Sequence, residues 1–228
     1  MSELSLAYKI PLMVVALLIA IIGHEIMHGY VAYRYGDSTA KDSGRLSLNP
    51  IVHIDLIGSI LVPATLFLAN APFLFGWAKP VPVRMDRVIY NGGYFAAFLV
   101  SLAGIGYNLV LAILASLLLY GFNGGILSGV FGYFENPQFL FILVIFFFLQ
   151  LIIYNVILAI FNLLPIPPLD GSNALAYLGL MFKNDFFARA FNKIHPVVGM
   201  VVLILILSTP LSVVLSAPVD FVLQWLLS

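Results

Sequence analysis

Apolar runs of bilayer-spanning length constrain this chain more than any other feature. A hydrocarbon core about 30 Å thick takes roughly 20 residues of helix, and residues 10–34, 89–120, 138–164 and 196–215 each reach that length with few charges. Composition agrees, since 62% of the 228 residues are hydrophobic and 9% are charged, against roughly 25% charged in a soluble domain. The expected fold is therefore an all-α polytopic membrane protein with about four full transmembrane helices, forming one membrane-embedded domain over residues 1–228. A fifth apolar stretch, 56–75, carries Gly58, Pro63, Asn70 and Pro72. These residues break a continuous helix and free backbone groups that lipid cannot satisfy, so a re-entrant or short membrane-embedded hairpin is expected there.

Several functions are excluded early. Ten basic and ten acidic residues balance, and no run of Lys or Arg offers a phosphate-binding surface, so nucleic acid is not an expected partner. The absence of cysteine removes disulfides, thiolate nucleophiles and Cys-based metal sites. The first apolar run continues into His-Glu rather than an A-x-A cleavage site, so it is read as a retained span and not as a signal peptide.

The chemistry concentrates at the end of that first run, in His24-Glu25-Ile26-Met27-His28. An ionisable group at mid-bilayer costs about 2.5–3.5 kcal/mol on insertion scales, so such residues default to function. Residues four apart share a helix face, so His24 and His28 can converge on one metal ion while Glu25 flanks that face. Zinc suits the set: it accepts imidazole nitrogen, keeps a position open in catalytic sites and lowers the pKa of water toward 7. The bland alternative is a buried polar cluster that joins helices. A metal needs a further ligand, and Asp170 can supply it from the Pro165-Ile166-Pro167-Pro168-Leu169-Asp170-Gly171 segment, whose prolines stop a helix and stiffen the backbone. Alone, that segment is an ordinary turn signal; the histidines give it weight.

Together with H-E-I-M-H, three further motifs carry a family resemblance: L-N-P-I-V-H-I-D at 48–55, G-W-A-K-P-V-P-V at 76–83 and N-L-L-P-I-P-P-L-D-G at 162–171. In this order the chain resembles the site-2 protease family of intramembrane zinc metalloproteases, in its compact bacterial branch without an inserted PDZ domain. The motifs run from His24 to Gly171. The resemblance implies one zinc per chain held by His24, His28 and Asp170, with Glu25 as general base and acid and Asn162 as a polar catalytic group near the scissile peptide. It further implies a multi-pass protein of the bacterial inner membrane, acting on transmembrane segments of membrane-protein substrates within the lipid bilayer. One departure is visible. The family's A-G-P-x-x-N reads Ala103-Gly104-Ile105-Gly106-Tyr107-Asn108 here, without the Pro and any kink it supplies.

Other residues have their own readings. Gly104, Asn108, Ala112 and Ser116 recur every four positions and form a small-residue stripe on which a helix can pack. Asn108 either joins helices or lines the site, and the joining role is preferred. His53 is expected behind the site, His195 at a membrane interface, Phe146 to Phe148 in lipid contact or packing, and 219–227 as an amphipathic tail. A shared metal requires the first and third spans to run the same way through the membrane. Lys79, Arg84 and Arg87, with Lys183, Arg189 and Lys193, mark their loops as cytoplasmic, which puts the site toward that face and forbids 56–75 from crossing. The 76–83 segment is a possible edge for an unwound substrate, on family resemblance. The rival from another class is a zinc or divalent-metal transporter. Beyond Glu25, the acidic residues from Ile57 to Ile166 are Asp86 and Glu135, both in connections, so a translocation path lacks staggered ligands. Four histidines are too few for a membrane di-iron oxygenase, and the intact quartet argues against an inactive relative.

Overall fold

A computed structural model describes residues 4–68, 78–123, 137–209 and 212–227. Its elements are α1 (Leu6–Arg34), α2 (Thr39–Asp42), α3 (Val62–Leu68), α4 (Met85–Asn123), α5 (Pro137–Asn162), α6 (Asp170–Met181), α7 (Phe186–Asn192), α8 (Pro196–Leu207) and α9 (Val213–Leu227). No strand occurs among the described residues. Helices α1, α4 and α5 are long and apolar enough to cross a membrane, and the bent pair α7 and α8 raises the number to four if it forms one span. The chain is an all-α polytopic membrane protein, as its composition predicts.

The directions of the three long helices follow from contacts at their ends. Tyr8 and Phe139, near the starts of α1 and α5, meet ring to ring at 5.1 Å. His24 and His28, toward the end of α1, meet Asp170 just beyond α5. Helices α1 and α5 therefore run parallel, as a shared metal requires. Helix α4 runs against them: Asn91 donates to Tyr35 O, while Asn108 donates to Ala20 O.

Small side chains let these helices approach. Ala16 of α1, Ala112 and Ala115 of α4, and Ile152 and Val156 of α5 form one core, while Ala32, Val88, Ala96, Ala97 and Val100 form a second where α1 meets the start of α4. With lipid outside, such close van der Waals packing replaces the hydrophobic drive that assembles a soluble bundle. The predicted stripe is used along its length, from Gly104 against the histidines to Ser116, which hydrogen-bonds Leu226 O of α9.

Three departures from the sequence expectation matter. Residues 196–215 do not form one helix. Helix α8 stops at Leu207 after 12 residues, about 18 Å at 1.5 Å per residue and too short to cross alone, and it meets α7 at 91°. Helix α6 occupies residues 170–181, where the sequence reading places no helix and only the turn at Asp170-Gly171. Within 56–75, a wide helical turn at Leu56–Leu61 leads into α3, and 69–77 lie outside the described residues. The ends of that excursion nonetheless lie together, since Lys79 N–H donates to His53 O at 2.9 Å. The chain thus returns to the place it left, as the hairpin reading requires.

Candidate metal centre

Three side chains converge where α1, α4 and the start of α6 meet. The Nε2 atoms of His24 and His28 lie 3.1 Å apart. Asp170 Oδ2 lies 3.0 Å from the first and 3.1 Å from the second. Helix periodicity stacks the two histidines on one face, and Asp170 arrives as the first residue of α6 after the proline segment. Two glycines make the approach possible. A Cβ on Gly104 would sit 2.5 Å from His24 Cε1 and from His28 Nε2, and one on Gly171 would sit 2.2 Å from Leu163 O.

Hydrogen bonds behind the rings decide which atoms face the centre. His28 Nδ1 lies 2.7 Å from Val100 O, an obligate acceptor, so Nδ1 carries the hydrogen in the neutral ring and Nε2 presents a lone pair. Asn108 Nδ2 is committed to Ala20 O and to Asn155 Oδ1, at 3.1 and 2.7 Å. Its Oδ1 therefore accepts from His24 Nδ1, at 2.6 Å. Two nitrogen lone pairs and a carboxylate oxygen then face one another with no hydrogen between them, which is repulsive unless a cation sits among them. Tetrahedral zinc with bonds of about 2.0–2.1 Å separates neighbouring ligand atoms by about 3.3 Å, close to the observed triangle. The donor set fits zinc. Among the described residues this is the one group of three or more His, Asp or Glu placed to hold a metal.

Glu25 stands beside the triangle and not in it. Its Oε2 accepts the Val81 N–H at 2.8 Å. Glu25, His28 and Asp170 line one cavity of about 170 Å³ with Pro80, Val81, Val83, Ser101 and Asn173. That volume is about six waters at liquid density, enough for water and a peptide carbonyl but not for an intact helix.

The remaining predicted residues fall in different places. Asn162 ends α5 and is not among the residues that line the cavity; its Nδ2 donates to Leu158 O at 2.9 Å. His53 is buried, with Nε2 2.8 Å from Ser47 O. His195 caps α8, its Nδ1 accepting from Val197 N–H. Asn108 both joins helices and holds His24, so the preferred joining role is half of its function. Asn155, Asn173 and Asp37 were not singled out in the sequence. An Asn on an apolar helix is visible as a polar outlier, and Asn155 carries that signal. Asp37 has no such signal. It is fully buried and accepts from Arg84 N–H at 2.6 Å. Burial opposes its ionisation, but hydrogen bonds from the Thr39 hydroxyl and the Arg84 and Thr39 N–H groups, with the charge of Arg87, hold its carboxyl below the ordinary value.

Comparison with known proteins agrees with this geometry. Over 161 residues, 71% of its length, the chain is 41% identical to a Bacillus subtilis (strain 168) protein named "Putative zinc metalloprotease YwhC". The match spans 66% of that relative, just under two thirds of it. No family model and no solved structure matches the chain. The likeness supports a relationship to zinc metalloproteases.

Proposed function

We propose that this chain is an intramembrane zinc metalloprotease of the site-2 protease type, hydrolysing peptide bonds in or near transmembrane segments of membrane-protein substrates. The observation that carries the reading is the triangle of His24 Nε2, His28 Nε2 and Asp170 Oδ2, with Glu25 beside it, inside a bundle of membrane-length helices. His24, His28 and Asp170 would hold one zinc per chain. When bound, zinc supplies a Lewis acid that polarises the scissile carbonyl and makes water acidic near neutral pH. Glu25 takes the proton from that water and returns it to the leaving amine as the C–N bond breaks. Asn108 and the Val100 carbonyl keep the two imidazoles in the tautomer that turns Nε2 inward. Asn173 lines the cavity, where its amide can meet the substrate backbone, and Asn162, which spends one amide hydrogen on Leu158 O, keeps its second N–H and its Oδ1 for the scissile peptide.

The positive-inside reading of the loop with Lys79, Arg84 and Arg87 and of the loop with Lys183, Arg189 and Lys193 supports a centre open toward the cytoplasm of a bacterial inner membrane. A transporter would need ligand groups at successive depths, and the described residues contain no second cluster. The test is co-expression with single-span membrane proteins. The chain should yield a cleaved fragment that Glu25→Gln abolishes. Fragments of equal yield from both forms would overturn the assignment.

A further inference from the structure

The strap at residues 79–84 reaches the centre through one backbone atom, the Val81 N–H on Glu25 Oε2 at 2.8 Å. The sequence makes this donor singular. Pro80 and Pro82 carry no N–H, so Val81 offers the one backbone donor between Lys79 and Val83. The same prolines fix their own φ and bias Lys79 and Val81 toward extended backbone, so the donor sits in a stiff segment. Its position on α1 is fixed by packing as well, because Val81 Cγ1 lies 2.8 Å from where a Cβ on Gly29 would be.

Buried polar groups hold both ends of the strap. Arg45 donates to Lys79 O at 2.6 Å, and His53 O accepts from Lys79 N–H at 2.9 Å. At the far end Asp37 accepts from Arg84 N–H. Arg45 and Asp37 are both at least nine-tenths buried, and His53 contributes its backbone carbonyl. Burying charged side chains is costly unless each finds a partner, and here Arg45 and Asp37 are partnered by the strap's own backbone. A loop held only for stability does not require its single central donor to land on the one carboxylate beside the metal triangle.

We propose that the strap is a positioning element for the general base. The Val81 N–H holds one oxygen of Glu25 so that the other faces water and the scissile peptide, and Arg45, His53 and Asp37 fix the strap that carries it. Among the described residues Glu25 accepts no other hydrogen bond, so without Val81 its carboxylate is free to rotate away. This inference rests on the reading of Glu25 as the base.

The test uses the full-length, zinc-loaded chain in detergent. Val81→Pro deletes the donor while favouring the same extended backbone, and it should lower kcat by about 10–100-fold, the scale of an ångström-sized misplacement. KM should stay within about threefold and zinc content at the wild-type level, because Glu25 is not a ligand. Val81→Ala keeps the N–H and should remain about tenfold or more above Val81→Pro. Arg45→Lys should recover part of the kcat lost in Arg45→Ala. Independently of activity, the Val81 amide should exchange slowly with solvent and about tenfold or more faster in Glu25→Ala. Should Val81→Pro lose its zinc, the Arg45 pair and the exchange measurement decide. Equal kcat for Val81→Pro and Val81→Ala, or an exchange rate indifferent to Glu25, overturns the strap while an inactive Glu25→Gln leaves the base intact. An active Glu25→Gln overturns the base itself.

Discussion

Replacing Asn108 by Leu removes the acceptor that fixes His24 while keeping the bulk of the side chain. Three contacts are lost, and they act on different quantities. Asn108 Oδ1 lies 2.6 Å from His24 Nδ1, and loss of such a partner weakens metal affinity about 10–100-fold, or about 1.4–2.7 kcal/mol. The other two contacts, to Ala20 O and Asn155 Oδ1, belong to the bundle. Ala20 O keeps its helical hydrogen bond, but Asn155 Oδ1 is left without a donor in a fully buried position, a cost of about 1–3 kcal/mol in stability. Asn155→Leu separates the two effects, because it breaks the Asn108–Asn155 bond and leaves His24 held. Zinc affinity would be read by competition with a chromophoric chelator in detergent, and stability by thermal unfolding of the metal-free chain. Zinc affinity should fall 10–100-fold in Asn108→Leu and less than about threefold in Asn155→Leu, with stability reduced in both. Equal zinc affinities in the two variants would refute the argument that Asn108 acts through the His24 tautomer.

Glu25→Gln should retain zinc and lower turnover by about 10²–10⁴-fold, measured as fragment yield against metal content. Gly104→Ala should lose zinc outright, because its Cβ would lie 2.5 Å from both imidazoles; a variant with full metal content would show that the helices can part at that point. Asp37 has a carboxyl held below its ordinary value in the folded chain, so its stabilisation is complete above about pH 4 and is lost as pH falls through the folded value. Thermal stability measured from pH 6 to pH 3 should fall less steeply in Asp37→Asn, which has no carboxyl to protonate, and an unchanged slope would remove Asp37 from the account. Single cysteines at Lys41 and Arg84 meet no native cysteine and should both react with an impermeant thiol reagent from the cytoplasmic face; labelling from opposite faces would break the hairpin reading of 56–75.

What the sequence disclosed, and what it withheld, follows from the range of the forces involved. Spans α1, α4 and α5 were legible because hydrophobic length is a local property, and His24 with His28 because four residues make one helical turn. Helix α6 was missed for the same reason: at 12 residues it fails a test built on bilayer thickness, and much of what stabilises it is packing against α4, which is distant in sequence and lies in no local window. Asp170 was found by its chemistry but was expected on a loop, whereas it opens a helix. The proximity of residues 53 and 79 could be argued from charge placement alone, yet its cause is the pair of hydrogen bonds on Lys79, made by groups 26 and 34 positions away.

The missing Pro in Ala103-Gly104-Ile105-Gly106-Tyr107-Asn108 bears on the site itself. The motif's absent Pro put the kink of this helix in doubt, but the features the centre uses are the absence of a side chain at Gly104 and the acceptor at Asn108, one turn apart on the face that meets α1. Backbone reorientation in α4 comes earlier, at Gly93, whose φ of 66° is open to glycine and strained for other residues. Beyond that break, Val100 O, Gly104 and Asn108 lie on one face at four-residue intervals, opposite His28, the two imidazoles and His24 in turn. A Pro at 105 would remove a backbone hydrogen bond from the turn that lies against the imidazoles. With Ile105 there instead, α4 stays helical through the turn that backs the metal ligands.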